Sequence, residues 1–266
     1  MRNIEAVIFD WAGTTVDYGC FAPVKAFMEV FEEYGISPTI DETRKPMGML
    51  KWDHIKTMME MERINKLWVE KYGRDFTDKD IDEMHDKFTD KLMGILHNYG
   101  TPKPYVVETM VKLRERSIKI GSTTGYTDKM MSIITRYSKA QGYEPDCWFS
   151  PNSTNNVGRP YPFMVFRNME ELKVTSVKNV IKVGDTISDI LEGKNAGVLT
   201  AGIVEGSSEM ALSEEEYAAL SIEEREVKVD EICKRYEEAG ADFVIMNMKE
   251  LINLVDFING YKLANL

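Results

Sequence analysis

The spacing of apolar residues changes twice along the chain. Ala6-Val7-Ile8-Phe9 is a short unbroken apolar run ending on Asp10, the pattern of a strand buried on both faces. From about Ala22 to Asn98 the spacing is helical. Phe27, Val30, Phe31 and Tyr34 share one helical face, and Ile64, Leu67 and Trp68 another. Ile81, Met84, Phe88, Leu92 and Ile95 follow a third helix, with Thr77 placed to cap it. No strand is expected in this stretch.

After Pro102 and Pro104 helices and strands alternate. A helix over 105–116 leads to a strand over 118–123, and a helix over 127–140 to a short strand at Cys147-Trp148-Phe149. A helix over 161–172 precedes a strand over 180–183, and a helix over 186–196 precedes one over 198–204. Acidic helices between Ser213 and Glu238, expected to be solvated and to take no part in the chemistry, a strand over 243–246 and a final helix complete the series. The alternation predicts an α/β protein: a Rossmann-like parallel sheet with helices on both faces. The helical block falls between its first two strands, so residues 1–18 and 100–266 are expected to form the catalytic core and 19–99 an inserted all-helical cap domain.

At 266 residues with 43% hydrophobic composition, the chain can bury a sizeable core. Its net charge of −11 argues against nonspecific binding to nucleic acid or to an anionic membrane. Cys20, Cys147 and Cys233 are odd in number and far apart, which predicts free thiols in a reducing compartment. No apolar run reaches membrane-spanning length, and the N-terminus meets an acidic residue too early for a signal peptide, so a cytoplasmic location is expected.

Three polar sites share one address on the predicted sheet. Asp10 follows the first strand, Thr123-Thr124-Gly125 the second, and Gly184-Asp185 a later one, with Asp189 a turn beyond. Open parallel sheets bind ligands outside the carboxyl ends of their strands. Singly, each aspartate reads equally well as a helix cap or a turn residue; together they place several carboxylates at one edge, where repulsion calls for a cation. Oxygen ligands suit a hard ion, and Mg²⁺ with a phosphoryl group fits. In Gly158-Arg159-Pro160-Tyr161-Pro162, prolines on both sides of Tyr161 stiffen a loop that carries Arg159 to the same edge.

These four segments, in this order and with this helical insert, resemble the haloacid dehalogenase superfamily. The resemblance implies that Asp10 attacks phosphorus to form an aspartyl phosphate. Phosphatases of that superfamily use a second aspartate two residues later to protonate an alkoxide; here that residue is Ala12. The carboxylate could instead attack carbon and release halide, although the Asp185/Asp189 pair speaks for a metal. Alternatively the leaving group is no alkoxide. A carbanion is a poor leaving group, which an enzyme could make tolerable by converting a neighbouring carbonyl to an iminium; that requires a lysine with a depressed pKa. In Arg44-Lys45-Pro46-Met47-Gly48-Met49-Leu50-Lys51-Trp52-Asp53-His54 both Lys45 and Lys51 are candidates.

The longer stretches FDWAGTTVDYGCFAP, RKPMGMLKWDH, IGSTTGYT, GRPYP and KVGDTISD resemble the phosphonatase family within that superfamily. The resemblance implies cleavage of the carbon–phosphorus bond of phosphonoacetaldehyde, with Mg²⁺, and a homodimer. Carried over by position, it makes Lys51 the Schiff-base lysine and His54 its proton shuttle, with Thr124 and Arg159 on the phosphoryl oxygens. Cys20, Met47, Gly125 and Tyr126 would line the aldehyde pocket. Asp10, Asp185 and the backbone carbonyl of Ala12 would hold the metal, with Asp189 in the outer shell. The chain departs from that pattern in NSTNNV before Gly158, which lacks a proline, and at Phe163, where tryptophan is common. The alternative expectation is a Mg²⁺-dependent phosphatase of a small organic phosphate that borrows an acid from the cap.

Overall fold

The computed structural model describes residues 3–260. It opens with strand β1 (Ala6–Phe9). Five helices follow: α1 (Phe21–Glu33), α2 (Ile40–Arg44), α3 (Lys51–Met59), α4 (Glu62–Tyr72) and α5 (Asp78–Ile95). The chain then forms α6 (Val106–Glu115), β2 (Lys119–Ser122), α7 (Asp128–Ala140), α8 (Phe163–Glu171) and β3 (Val180–Gly184). It ends with α9 (Ile187–Ala196), β4 (Leu199–Ile203), α10 (Glu214–Ala219), α11 (Ile222–Glu238), β5 (Phe243–Ile245) and α12 (Met248–Ile258).

The strands form one parallel sheet in the order β2-β1-β3-β4-β5. Both faces are covered, which is why the strands carry unbroken apolar runs. In β1, Val7 and Phe9 join the large core with Ile120, Ile181, Val183 and the apolar side chains of α6, α7 and α12. Ala6 and Ile8 point the other way, against Val165 and Met169 of α8 and Ala196 of α9. This alternation, with a period of two, sends every second residue to opposite faces.

The chain leaves β1 toward β2 on one side and returns to β3 on the other, so β1 is the switch point of the sheet. Its last residue, Phe9, is level with Ser122 of β2 and Val183 of β3. One residue further on, Asp10, Thr123 and Gly184 therefore emerge side by side at the carboxyl edge, where α/β sheets bind ligands.

Helices α1 and α3 bring Pro23 and Lys51 to this edge. α1 packs on α5 through Phe27 and Phe88, whose rings stack 4.1 Å apart. Thr77 caps α5 as expected: its hydroxyl accepts from Asp80 N, and the Asp80 carboxylate accepts from Thr77 N. Thr127 caps α7 through its hydroxyl alone, which accepts from Met130 N.

Two expectations are corrected. Cys147-Trp148-Phe149 forms no strand; Phe149 makes a single isolated bridge to Thr123. The segment sits outside the edge strand β2, where Ile120 donates to Asp146 Oδ2 instead of to a continuing ladder. Arg159 is thus delivered by an irregular loop and not by a strand end. The acidic segment is also not wholly solvated: Ile232 and Tyr236 of α11 are buried.

Candidate active site

The loop after β1 is built on one carbonyl. Trp11 O accepts from the amides of Thr14, Thr15 and Val16, folding residues 11–16 into a turn that brings Thr14 to Asp185. Thr14 Oγ1 donates to Asp185 Oδ1 at 2.9 Å, and Ser208 N donates to Oδ2 at 2.7 Å. The turn needs Gly13: its φ is +88°, and a Cβ there would lie 2.0 Å from Asp185 Oδ2.

Asp10 is 5% exposed. Its Oδ1 accepts from Arg159 Nη2 at 2.6 Å, while Arg159 Nε donates to Glu192 at 3.0 Å. Asp185 and Asp189 complete a buried triad with Asp10, one oxygen of each lying within 4.8 Å of the others. Burial first, and then the charges of Asp10 and Asp189, push the Asp185 carboxyl well above the usual carboxylate range. Burial would do the same to Asp189, but Arg159 and Lys182 outweigh it and hold Asp189 below its usual value. Asp189 Oδ1 accepts from Lys182 Nζ at 2.7 Å, and Oδ2 from Thr186 Oγ1 at 2.6 Å.

The donor set fits a hard divalent cation such as Mg²⁺. It consists of oxygens only, it is buried, and Asp185 bears repulsion that a cation would relieve. Asp189 is already paired with the cations Lys182 and Arg159, whereas Asp185 accepts only from a hydroxyl and an amide and Asp10 Oδ2 takes no hydrogen bond among the described residues, so Asp10 and Asp185 are the carboxylates placed to hold it.

Lys51 opens α3, the helix that hangs over this edge. It is 6% exposed, with Nζ 5.5 Å from the Tyr126 ring centroid and 5.8 Å from that of Phe27. Its pKa is lowered, chiefly by burial, and the positive end of the α3 dipole acts in the same sense. Lys45, the other candidate, is exposed. The approach of α3 depends on Gly48: its φ is +86°, and a Cβ would sit 2.5 Å from Thr186 Oγ1 of the core.

A single cleft is lined by Asp10, Ala12, Cys20, Met47, Lys51, Thr124, Gly125, Tyr126, Arg159 and Asp185. The sequence reading assembled that set from five separate segments. It did not name Pro23, Gly48 or Thr186, which also line the cleft. His54 and Asp189 lie behind it. His54 is fully buried and stacks on Phe27 at 3.8 Å, with Nε2 2.8 Å from Thr43 O. A carbonyl partner requires the proton on Nε2. Nδ1 is then an acceptor without a hydrogen-bond partner, and burial followed by the Lys51 charge holds the imidazole well below its ordinary pKa.

Thr123, which the sequence places at this edge, accepts through Oγ1 from Arg159 Nη2 at 2.8 Å and donates to Glu192 Oε2 at 2.9 Å. Other residues escaped the sequence reading. Lys182 and Glu192 are charged yet fully buried. Lys103 Nζ donates to the carbonyls of Gly13 and Glu205, and Tyr236 OH donates to Asp185 O at 2.8 Å. A lysine inside the apolar strand Val180-Ile181-Lys182-Val183 was the one available signal, because a central strand covered on both faces leaves a charge no route to water.

Comparison with known proteins agrees with this geometry. Residues 4–197 match the haloacid dehalogenase-like hydrolase family. The chain is 50% identical over 263 residues to a phosphonoacetaldehyde hydrolase of Lysinibacillus sphaericus, covering 99% of this chain and 97% of that protein. It is 48% identical over 254 residues to a bifunctional phosphonoacetaldehyde hydrolase/aminoethylphosphonate transaminase of Clostridioides difficile; the match covers 96% of this chain and 40% of that longer protein. A crystal structure of a phosphonoacetaldehyde hydrolase-like protein from Oleispira antarctica superposes with a TM-score of 0.93 at 36% identity, covering 97% and 93% of the two chains. The chain belongs to the haloacid dehalogenase-like hydrolases and, within them, to the phosphonoacetaldehyde hydrolase family.

Proposed function

We propose that this protein hydrolyses phosphonoacetaldehyde to acetaldehyde and phosphate, through an imine on Lys51 and an aspartyl phosphate on Asp10. The observation that carries the reading is the placement of Lys51, buried and with a lowered pKa, in the same cleft as Asp10 and Arg159. Among the described residues lining that cleft the cap supplies no carboxylate, so an ester phosphatase would lack its acid.

The neutral Lys51 amine attacks the aldehyde carbon and water leaves, giving an iminium. His54, neutral and with Nδ1 open, is suited to carry the protons of this step. Asp10 Oδ2, the oxygen not bonded to Arg159, attacks phosphorus. The phosphorus–carbon bond breaks and its electron pair passes into the iminium, which becomes an enamine. Arg159 and Thr124 hold the phosphoryl oxygens as their charge shifts. Mg²⁺ held by Asp10, Asp185 and the Ala12 carbonyl would offset the phosphoryl charge and the repulsion between the two carboxylates. The enamine is protonated on carbon and its imine is hydrolysed to acetaldehyde, restoring Lys51. Water then cleaves the aspartyl phosphate. Cys20, Met47 and Tyr126 give the aldehyde end an apolar lining.

Residues 1–18 and 100–266 act in this reading as the catalytic core and 19–99 as the cap that delivers Lys51. The transaminase named in the fused relative supports a supply of substrate from aminoethylphosphonate. Borohydride added with phosphonoacetaldehyde should fix a two-carbon adduct on Lys51 of the wild-type chain, and a Lys51→Arg variant should take up none. An adduct that persists in that variant, or never forms in the wild type, would falsify the scheme.

A further inference from the structure

Behind the cleft lies a group of buried charges that this scheme does not use. Glu192 of α9 and Lys182 of β3 are both 0% exposed. Glu192 Oε2 accepts from Arg159 Nε at 3.0 Å and from Thr123 Oγ1 at 2.9 Å. Lys182 Nζ is farther from it, at 3.6 Å, and donates to Asp189 at 2.7 Å. The close partners of Glu192 are therefore Arg159 and Thr123, and Lys182 has a better counter-charge of its own.

We propose that Glu192 is a positioning residue that clamps the Nε edge of Arg159, so that only the Nη groups face Asp10 and the phosphoryl group. A guanidinium is planar, and its Nε–Nη2 edge matches both oxygens of a carboxylate. Unclamped, that edge would turn onto Asp10 and occupy both oxygens, which would blunt the nucleophile. With Nε held by Glu192, a single nitrogen reaches Asp10, through Oδ1 at 2.6 Å, and Oδ2 stays free. Nη1 takes part in none of the bonds described and is left for a phosphoryl oxygen. Thr123 closes the arrangement by bonding both Nη2 and Glu192. A carboxylate buried this deeply is costly unless compensated; Arg159 and Lys182 supply the compensation here.

The inference rests on the reading that Arg159 meets the phosphoryl group, and its test needs no turnover of phosphonoacetaldehyde. Binding of inorganic phosphate is measured by calorimetry in the presence of Mg²⁺ for the wild type, Glu192→Gln, Arg159→Lys and the double variant. Glu192→Gln keeps the side-chain size, and its thermal midpoint serves as the control for folding. Each single change should weaken phosphate about tenfold, as for the loss of one charge-assisted hydrogen bond. The double variant should be no weaker than Arg159→Lys alone, because Glu192 acts through Arg159. A role limited to packing would give losses that multiply, and that result overturns the proposal. So does wild-type affinity in Glu192→Gln, or a wild type that does not bind phosphate. If the binding pattern holds while phosphonoacetaldehyde is not hydrolysed, the proposed reaction falls and the clamp stands.

Discussion

Lys51 shows how burial and reactivity are linked in one side chain. Its amine has aromatic rings on two sides and, among the described residues, no hydrogen-bonded counter-ion. The folded state therefore binds the lysine proton less tightly than the unfolded chain, whose lysine titrates near 10.5. The stability penalty is full below the folded pKa and disappears as pH rises towards 10.5. Two outcomes follow. The rate of borohydride trapping should rise with pH and level off below 10.5. Lys51→Met should abolish trapping yet raise the thermal midpoint at pH 7 by a few degrees, roughly 1–2 kcal/mol for a chain of this size; an unchanged or lower midpoint would show that the amine is compensated. Ala12 is the complementary case, because it lines the cleft and its side chain carries no acid. Ala12→Asp would set a further carboxylate beside Asp10 and Asp185, whose carboxyl is already pushed up. Phosphonoacetaldehyde hydrolysis should fall by about tenfold or more, while turnover of an alkyl phosphate such as glycerol 3-phosphate rises. Assay of both substrates decides it.

At the level of elements, legibility followed periodicity and its limits. β1, β3 and β4 are central strands covered on both faces, so their apolar runs stood out. Helices α1, α4 and α5 each bury one stripe, so their spacing did too. Cys147-Trp148-Phe149 has the composition of a strand, but it lies beyond the sheet edge, where pairing and not composition decides. Most cleft residues could be named because strand ends and motif spacing place them. Glu192, Lys103 and Tyr236 could not, because each reaches the site from another element by a long side chain, a contact only tertiary structure creates. Arg44 belongs to the same class. From the end of α2 its Nη1 donates to Gly19 O at 2.8 Å and Ser208 O at 3.3 Å, and Ser208 N in turn holds Asp185. Arg44→Ala should free α2 from the core, speed amide exchange in α2 while leaving β1 unchanged, and raise KM several-fold with a smaller effect on kcat. Equal effects on both constants would place the arginine in the chemistry instead.

Across the whole molecule, the cap helices and the sheet share one apolar cluster: Phe27, Met58, Phe88 and Leu92 belong to the same packed group as Phe9, Ile120 and Val183. A cap with its own separate core would melt by itself; one that shares apolar packing with the sheet should melt with it. Calorimetry should give a single transition with equal calorimetric and van't Hoff enthalpies. The acidic triad works against this packing, because Asp10, Asp185 and Asp189 bring two distant segments of the chain together at one point in a molecule of net charge −11. A cation that binds the folded triad must stabilise the entire unit by mass action, about 2.7 kcal/mol at a hundred times its dissociation constant. For a chain of this length that is roughly 5–10 °C. Addition of Mg²⁺ should therefore move the one transition upward as a whole, and chelator should return it without splitting it. Asp185→Asn should abolish the response, because it removes one of the two carboxylates placed to hold the ion. A Mg²⁺ shift that survives Asp185→Asn would place the cation elsewhere, and a second transition appearing in chelator would show that the metal, and not the shared core, holds the cap to the sheet.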